Sequence, residues 1–130
     1  ALSRDEIRLG SLDTKRDFTY VSDTVNGFLC AAKTPGVEGE VFNLGTGSEV
    51  SVGELAERVL RILGRDLPIV QEDLRKRPEK SEVMRLLSDN SRAREHLGWQ
   101  PEVGLDEGLS QVIDWIRGHM GFFSPGQYQR

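Results

Sequence analysis

Arginine side chains are the groups in this sequence best suited to bind an anionic ligand. Arg16 follows a polar loop and precedes a β-rich stretch, so a rigid element can fix its guanidinium. Arg77 closes a basic run that begins at Arg75, within a segment that has no helical or strand periodicity. A guanidinium presents a planar fork of donors that matches phosphate oxygens, which suits it to diphosphate recognition. The alternative is that these charges only solvate a loop.

Possible acceptors for sugar hydroxyls follow the basic run directly. Ser81 and Glu82 lie four and five residues beyond Arg77, and their side-chain oxygens can accept hydrogen bonds from a sugar. The candidate ligand contacts are therefore Arg16, Arg77, Ser81 and Glu82.

Other catalytic groups are mostly absent from the sequence. His96 and His119 lie far apart and have no Cys or His partner at ligand spacing, so no metal site is expected. Cys30 falls in an apolar helical stretch and is expected to pack rather than to act as a nucleophile. The sequence contains neither a G-x-S-x-G elbow nor a phosphate-binding P-loop.

The glycine-rich stretch at residues 44–47 follows a predicted strand and precedes a predicted helix, as a dinucleotide-binding loop does. In a G-x-G-x-x-G motif the third glycine would fall at Val50, and no acidic ribose ligand follows at the expected distance. A tight strand-to-helix turn is therefore the favoured interpretation. We expect this chain to bind no NAD.

Strand-like and helix-like segments alternate along the chain and would position these residues. The predicted strands are residues 6–9, 17–21, 40–44 and 67–70. The predicted helices run from Ser22 or Asp23 to Lys33, from Ser51 to Leu63, from Asp89 or Asn90 to Gly98, and from Leu105 to Ile116. The alternation favours the α/β class, although so few short strands do not make a full doubly wound sheet.

Two of the predicted helices carry specific local signals. Ser51 and Glu54 form an S-x-x-E capping box, in which each side chain satisfies a backbone amide of the first turn. The helix that ends at Lys33 has an apolar face. That face consists of Val25, Phe28, Leu29 and Ala32.

Composition and charge limit the class of protein. Hydrophobic residues make up 37% and charged residues 29%, an ordinary soluble mixture rather than a disordered one. The net charge of −4 argues against a general nucleic-acid binder, and no apolar run approaches the roughly 18 to 20 residues that span a bilayer. A single cysteine favours a reducing cytoplasm. The opening at Ala1 suggests a fragment, although loss of an initiator methionine or a tag would look the same.

Five motifs stand in a fixed order along the chain. The first is R-D-[FYW]-x-x-V-x-D at residues 16–23, and the second is [VIY]-[FY]-N-[LI]-G-x-G at residues 41–47. The others are R-P at residues 77–78, D-x-x-K/R-A at residues 89–93 and L-G-W-x-P at residues 97–101. Together they resemble the extended short-chain dehydrogenase/reductases, the NAD-dependent epimerases and dehydratases that act on nucleotide sugars. The likeness is greatest to nucleotide-sugar 4,6-dehydratases.

The resemblance implies roles for the candidate residues. In this family the arginine of the R-D-aromatic motif and the arginine of the R-P motif grip the substrate's diphosphate, which implies Arg16 and Arg77 here. An acid shortly after the second arginine commonly binds the ribose hydroxyls. That implies Glu82, with the adjacent Ser81 as the alternative.

The family's catalytic elements are missing from this sequence. Its cofactor half carries a G-x-x-G-x-x-G loop for NAD and a Y-x-x-x-K pair that includes the general base. Here Thr24 stands four residues past Tyr20, and the chain ends two residues past Tyr128. The resemblance thus implies that NAD serves the parent enzyme, by oxidising C4 of the hexose and returning the hydride. This chain should hold no cofactor and be inactive alone.

We predict that residues 1–118 are the C-terminal substrate-binding portion of such an enzyme, α/β in class and without the Rossmann domain, and that residues 119–130 are a tail. The predicted function is to bind the nucleoside-diphosphate part of a nucleotide sugar, as a fragment of an NAD-dependent 4,6-dehydratase or 4-epimerase. Its partner would be the missing Rossmann half or further copies of the chain. The alternatives are a free-standing nucleotide-sugar-binding module, or a truncated product that persists as an oligomer without a ligand.

Overall fold

A computed structural model describes residues 1–75 and 82–123 of the chain. The helices in these residues are α1 (Val21–Lys33), α2 (Val52–Leu63), α3 (Ser91–Leu97) and α4 (Leu105–Gly118). The strands are β1 (Ile7–Leu9), β2 (Lys15–Arg16), β3 (Val50–Ser51), β4 (Ile69–Gln71) and β5 (Arg85–Leu86). Helices alternate with short strands, which confirms the α/β class.

The strands form two small sheets. β1 pairs in parallel with β4, so that Ile7 lies opposite Ile69. β2 is the central strand of the other sheet, antiparallel to β3 and parallel to β5. Arg16 lies in this central strand, opposite Val50 on one side and Leu86 on the other. Backbone pairing on both sides therefore holds its main chain in place.

Two of the predicted strands are wrong. Residues 40–44 pair with no strand in the described ranges, and the carbonyl of Val41 accepts a hydrogen bond from Arg92 at 3.1 Å. Residues 17–21 are not a strand either, because β2 ends at Arg16 and α1 begins at Val21. The sequence does not predict β5, whose two residues are ordered by pairing with β2. The types of side chain in a segment can favour a strand, but a strand forms only where a neighbouring segment pairs with its backbone.

A buried cluster lies where α1 meets α3, and further buried apolar residues lie in α2 and α4. Ala93, Leu97 and Trp99 form the cluster, and Trp99 is only 1% exposed. The indole Nε1 of Trp99 donates to the carbonyl of Asp23 in α1 at 2.8 Å, so the largest core side chain also satisfies its polar atom. Cys30 packs against this cluster, as predicted for a packing cysteine.

The face that α1 presents to the core is not its most apolar one. Gly27 is buried, and a Cβ built on it would lie 2.4 Å from a methyl carbon of Leu44. Val25, Phe28 and Leu29, members of the predicted apolar face, are at least half exposed. The small residue lets the 44–47 segment approach closely, and the large side chains therefore point away from the core.

The predicted N-terminal cap is confirmed for α2 but not for α1. In α2 the capping box is present: Ser51 Oγ accepts from the amide of Glu54 at 3.1 Å, and the amide of Ser51 donates to Glu54 Oε2 at 2.7 Å. The predicted cap of α1 by Ser22 or Asp23 is wrong, since Val21 already lies in the helix and its preceding residue makes no side-chain cap. The carboxylate of Asp23 instead accepts from two amides at residues 102–103, each at 3.1 Å.

The C-terminal helices begin and end close to their predicted bounds. α3 starts directly after Asn90, and Oδ1 of Asp89 accepts from the amide of Ser91 at 3.0 Å. α4 runs through Gly118, beyond which the described residues form a single 3-10 turn, Met120–Phe122.

Candidate functional site

Arg16 and Glu82, two of the predicted ligand contacts, contact each other. The Nη2 atom of Arg16 lies 3.2 Å from Oε1 of Glu82, and its Nη1 atom donates to the carbonyl of Lys15 at 2.7 Å. The Arg16 and Glu82 side chains are 24% and 15% exposed. The pair is therefore shielded in part from water, while part of the Arg16 side chain stays accessible to it.

Arg77 and Ser81 lie outside the described residues, and their placement remains a prediction. Arg75, at the start of the same basic run, has its Nε atom 2.5 Å from Oε2 of Glu72. The other carboxylate oxygen of Glu72, Oε1, accepts from Arg8 at 2.9 Å. These hydrogen bonds, that from Arg75 foremost, hold the pKa of Glu72 below its usual value. Arg75 thus takes part in a local ion-pair network with Glu72 and Arg8.

Asp17 helps to form the site, although the sequence did not single it out. Its two carboxylate oxygens accept from the amides of Thr46 and Gly47, each at 2.9 Å. The amide of Ser88 approaches it at 3.4 Å. The carboxylate of Asp17, which follows Arg16 in sequence, therefore links the end of β2 to two loops. The signal available in the sequence was the G-x-G turn, whose free amides need an acceptor.

The turn at residues 44–47 is held tightly by these bonds. Gly47 has a φ of +72°, which favours glycine, and a Cβ on Gly45 would lie 2.2 Å from Cβ of Ser88. Because the amides of residues 46 and 47 donate to Asp17, they are not directed towards a pyrophosphate. The structure supports the interpretation of this stretch as a tight turn.

A groove of about 520 Å³ lies between α1, the segment after Val41 and the residues that follow β5. Phe28, Phe42 and Leu86 contribute to its largely apolar lining. The hydroxyl of Ser88 also faces this region and is buried without a hydrogen-bond partner among the described residues. An apolar groove with an unsatisfied hydroxyl has the character of a surface that another element covers.

The histidines take part in ring contacts. His119 stacks on Trp115 with their ring centroids 4.3 Å apart, and His96 lies 6.1 Å from the ring of Phe42. Across residues 1–75 and 82–123, no group of three His, Cys, Asp or Glu side chains is placed to hold a metal ion. In the same residues no helix combines the length and the apolar character that crossing a membrane requires.

Comparison with known proteins defines the class. Residues 1–112 match the family model described as GDP-mannose 4,6 dehydratase. The chain therefore belongs to this family of nucleotide-sugar enzymes, within the extended short-chain dehydrogenase/reductases. The resemblance of the five motifs is confirmed, and the fold corresponds to the C-terminal part of structures in this family.

Individual relatives belong to the same class. The chain is 34% identical over 109 residues to dTDP-4-dehydro-6-deoxyglucose reductase of Escherichia coli, which is 84% of this chain and 33% of that protein. It is 38% identical over 103 residues to UDP-glucose 4-epimerase of Mycolicibacterium smegmatis, covering 78% of this chain and 31% of that protein. UDP-glucose 4-epimerase of Thermotoga maritima, solved with UDP-glucose, aligns with a TM-score of 0.77 at 34% identity, over 88% of this chain and 36% of that one. The chain spans about a third of the length of these relatives.

Proposed function

We propose that this chain binds the nucleoside-diphosphate part of a nucleotide sugar, as the substrate-binding portion of an NAD-dependent 4,6-dehydratase or 4-epimerase. The observation that carries the proposal is the position of Arg16. It belongs to the R-D-aromatic motif, and it lies in the central strand of a sheet with its side chain partly accessible to solvent. A similar structure solved with UDP-glucose supports a ligand of this class.

Each candidate residue has a role in this proposal. Arg16 and Arg77 hold the diphosphate through charge-assisted hydrogen bonds, each worth on the order of 1.5–3 kcal/mol. Glu82, or the adjacent Ser81, accepts hydrogen bonds from the ribose hydroxyls. These roles require Arg77 to reach the same diphosphate as Arg16.

The redox chemistry of the family is proposed to belong to another part of the protein. NAD, when bound there, would take a hydride from a hexose carbon and return it. The chain has no Y-x-x-x-K pair, and the hydroxyl of Tyr20 donates to Oε1 of Gln111 at 2.8 Å, which gives it a structural contact. We expect the chain alone to hold substrate without converting it. Its single cysteine, Cys30, fits a location in the cytoplasm.

The exposed apolar face of α1 is proposed as the surface that meets this other part. Val21 and Phe28 in α1 are 64% and 68% exposed, and Val41 is 73% exposed. Proteins seldom leave large apolar surfaces uncovered, and residues 40–44, which pair with no strand in the described part of the chain, can accept a neighbouring strand. The covering body would be the cofactor-binding half of the enzyme or a second copy of this chain. Residues 1–118 would form the substrate-binding portion and residues 119–130 a tail.

Alanine substitutions of Arg16 and Arg77 test the proposed ligand, in the protein at its natural length. Each change is expected to raise the dissociation constant for a nucleoside diphosphate at least about tenfold, the equivalent of about 1.4 kcal/mol. Affinity for the nucleoside without phosphates should barely change, because the only ligand atoms that the guanidinium groups are proposed to contact are phosphate oxygens. Calorimetric titration with UDP, GDP and dTDP identifies the tightest ligand for the comparison.

Arg85→Ala is the matched control for these variants. Arg85 lies in the same sheet as Arg16, its side chain is 65% exposed, and it pairs with Glu49 at 2.5 Å. It should change diphosphate affinity little. If Arg16→Ala and Arg77→Ala retain the affinity of the unmodified protein, these arginines only solvate the surface and the proposed function fails.

A further inference from the structure

The ion pair between Arg16 and Glu82 joins two residues to which the proposed function gives separate contacts on one ligand. Their Nη2 and Oε1 atoms are 3.2 Å apart, although 66 residues separate them in sequence. Within the described residues, Arg16 is the one cationic partner of Glu82. The pair is thus a specific contact, brought about by the parallel pairing of β2 with β5.

A carboxylate and a phosphate compete for the same donors. Both are anions that accept hydrogen bonds from a guanidinium in similar geometry. Of the terminal nitrogens of Arg16, Nη1 donates to the carbonyl of Lys15 and Nη2 lies on Glu82. Each of these nitrogens carries two N–H donors, so a diphosphate that binds on the Glu82 side of the guanidinium has to replace the carboxylate as the acceptor. The displaced carboxylate then lies beside the ligand and needs new donors.

We propose that Glu82 is a displaceable counter-ion of Arg16 and that it sets the selectivity of the site. It opposes the binding of a diphosphate to this edge of the guanidinium, because the ion pair must first be broken. A ligand with a ribose offsets this cost by giving the freed carboxylate hydroxyl donors. A diphosphate without a ribose offers no such donors, so Glu82 selects against inorganic pyrophosphate. This inference rests on the proposed function, since it requires Arg16 to bind the diphosphate.

Glu82→Gln tests the inference in the protein at its natural length, with inorganic pyrophosphate as the probe. Partly exposed ion pairs are worth up to about 1 kcal/mol, so the variant should bind pyrophosphate about threefold to fivefold more tightly. The ratio of pyrophosphate to UDP dissociation constants should fall accordingly. A purely structural role for Glu82 predicts the opposite, because a loosened site would bind pyrophosphate more weakly.

Glu49→Gln is the control for charge alone. Glu49 precedes β3 of the same sheet and pairs with Arg85 and Lys15, so its loss removes one negative charge without touching Arg16. Tighter pyrophosphate binding by the Glu82 variant but not by the Glu49 variant supports the inference. Unchanged or weaker pyrophosphate binding by Glu82→Gln overturns it, and so does an equal gain in both variants.

The Arg16→Ala variant distinguishes failure of the counter-ion role of Glu82 from failure of the proposed function. If Arg16→Ala weakens pyrophosphate binding while Glu82→Gln leaves it unchanged, the diphosphate site stands and only the counter-ion role is wrong. If Arg16→Ala has no effect on pyrophosphate binding, Arg16 is not a phosphate ligand, and both proposals are wrong.

Discussion

The two acids of the R-D-aromatic motif, Asp17 and Asp23, accept hydrogen bonds from backbone amides of distant loops. Asp17 bonds the turn at residues 46–47, and Asp23 bonds residues 102–103. Under our proposal the motif supplies one side chain, that of Arg16, to the ligand. Asp17 and Asp23 hold the chain in place on either side of the start of α1. Arg16 therefore has the binding role, and the two acids have structural roles.

Replacing Asp23 by alanine should lower the free energy of unfolding by about 2 to 6 kcal/mol. The side chain of Asp23 is nearly buried, and the substitution leaves two amides without their acceptor, each loss costing roughly 1–3 kcal/mol. Urea denaturation followed by fluorescence of the buried Trp99 measures the change. Asp114→Ala, at a side chain that is 75% exposed, is the control and should stay within about 0.5 kcal/mol. Equal losses in the two variants would refute the structural role of Asp23.

The sequence identified Arg16 and Glu82 as candidates but did not show that they pair. Each was chosen from local motifs, whereas their contact depends on the ladder between β2 and β5. That ladder joins two-residue strands across a long sequence separation, and such pairing leaves no periodic pattern to detect. Asp17 escaped notice for the same reason, because its partners lie on other loops.

Among the helices, the one with the most local signals was the easiest to predict. α2 begins at a capping box and ends at Gly64, whose φ of +63° is the left-handed conformation that favours glycine. The start of α1 was mispredicted because Asp23, a good capping residue by type, is engaged by a loop from the other end of the chain. Residues 40–44 have a strand-like sequence, yet no described strand lies beside them.

Glu54 of the capping box should stabilise α2 in a manner that disappears in acid. The hydrogen bond from the amide of Ser51 holds the pKa of Glu54 below its usual value of 4.5. A carboxyl group whose pKa is depressed by folding stabilises the fold fully above its unfolded-state pKa, and this contribution is lost as the pH falls through the folded-state pKa. The stability difference between the unmodified chain and Glu54→Gln should therefore be constant near neutrality and shrink below a pH of about 4.5.

Thermal unfolding followed by circular dichroism, from about pH 7 to about pH 3, measures this difference. Glu57→Gln, at an exposed position of α2, controls for the change in helix charge. A difference between Glu54→Gln and the unmodified chain that stays constant across the acid range would show that the capping carboxylate has no role in the pH dependence.

For the molecule as a whole, the most informative feature is apolar surface that remains exposed on α1 and around Val41. The chain spans about a third of the length of its relatives and has a small buried core of its own. Phe28 nevertheless remains 68% exposed. The large side chains of α1 lie on the face away from Trp99, which packs against the Asp23 end of the helix. Under our proposal, α1 therefore lies between this core and a second body that covers its exposed apolar face.

The 130-residue chain should therefore self-associate when it is isolated, and Phe28→Asp should reduce that association. Burying a phenylalanine is worth roughly 1.5–3 kcal/mol, whereas a buried aspartate without a partner is unfavourable. Light scattering at about 0.1 mM should report a dimer or larger species for the unmodified chain and a smaller mass for the variant. Phe122→Asp, at an 80% exposed aromatic outside α1, serves as the control. A monomeric unmodified chain at this concentration would contradict the expectation.

The central claim is that Arg16 holds the diphosphate of a nucleotide, and a crystal structure of the natural-length protein with its tightest nucleoside diphosphate tests it most directly. We expect a nitrogen of the Arg16 guanidinium at about 2.7–3.2 Å from a phosphate oxygen, in the place that Glu82 Oε1 takes at 3.2 Å here. The nucleotide bound elsewhere, with Arg16 still paired to Glu82, would contradict it.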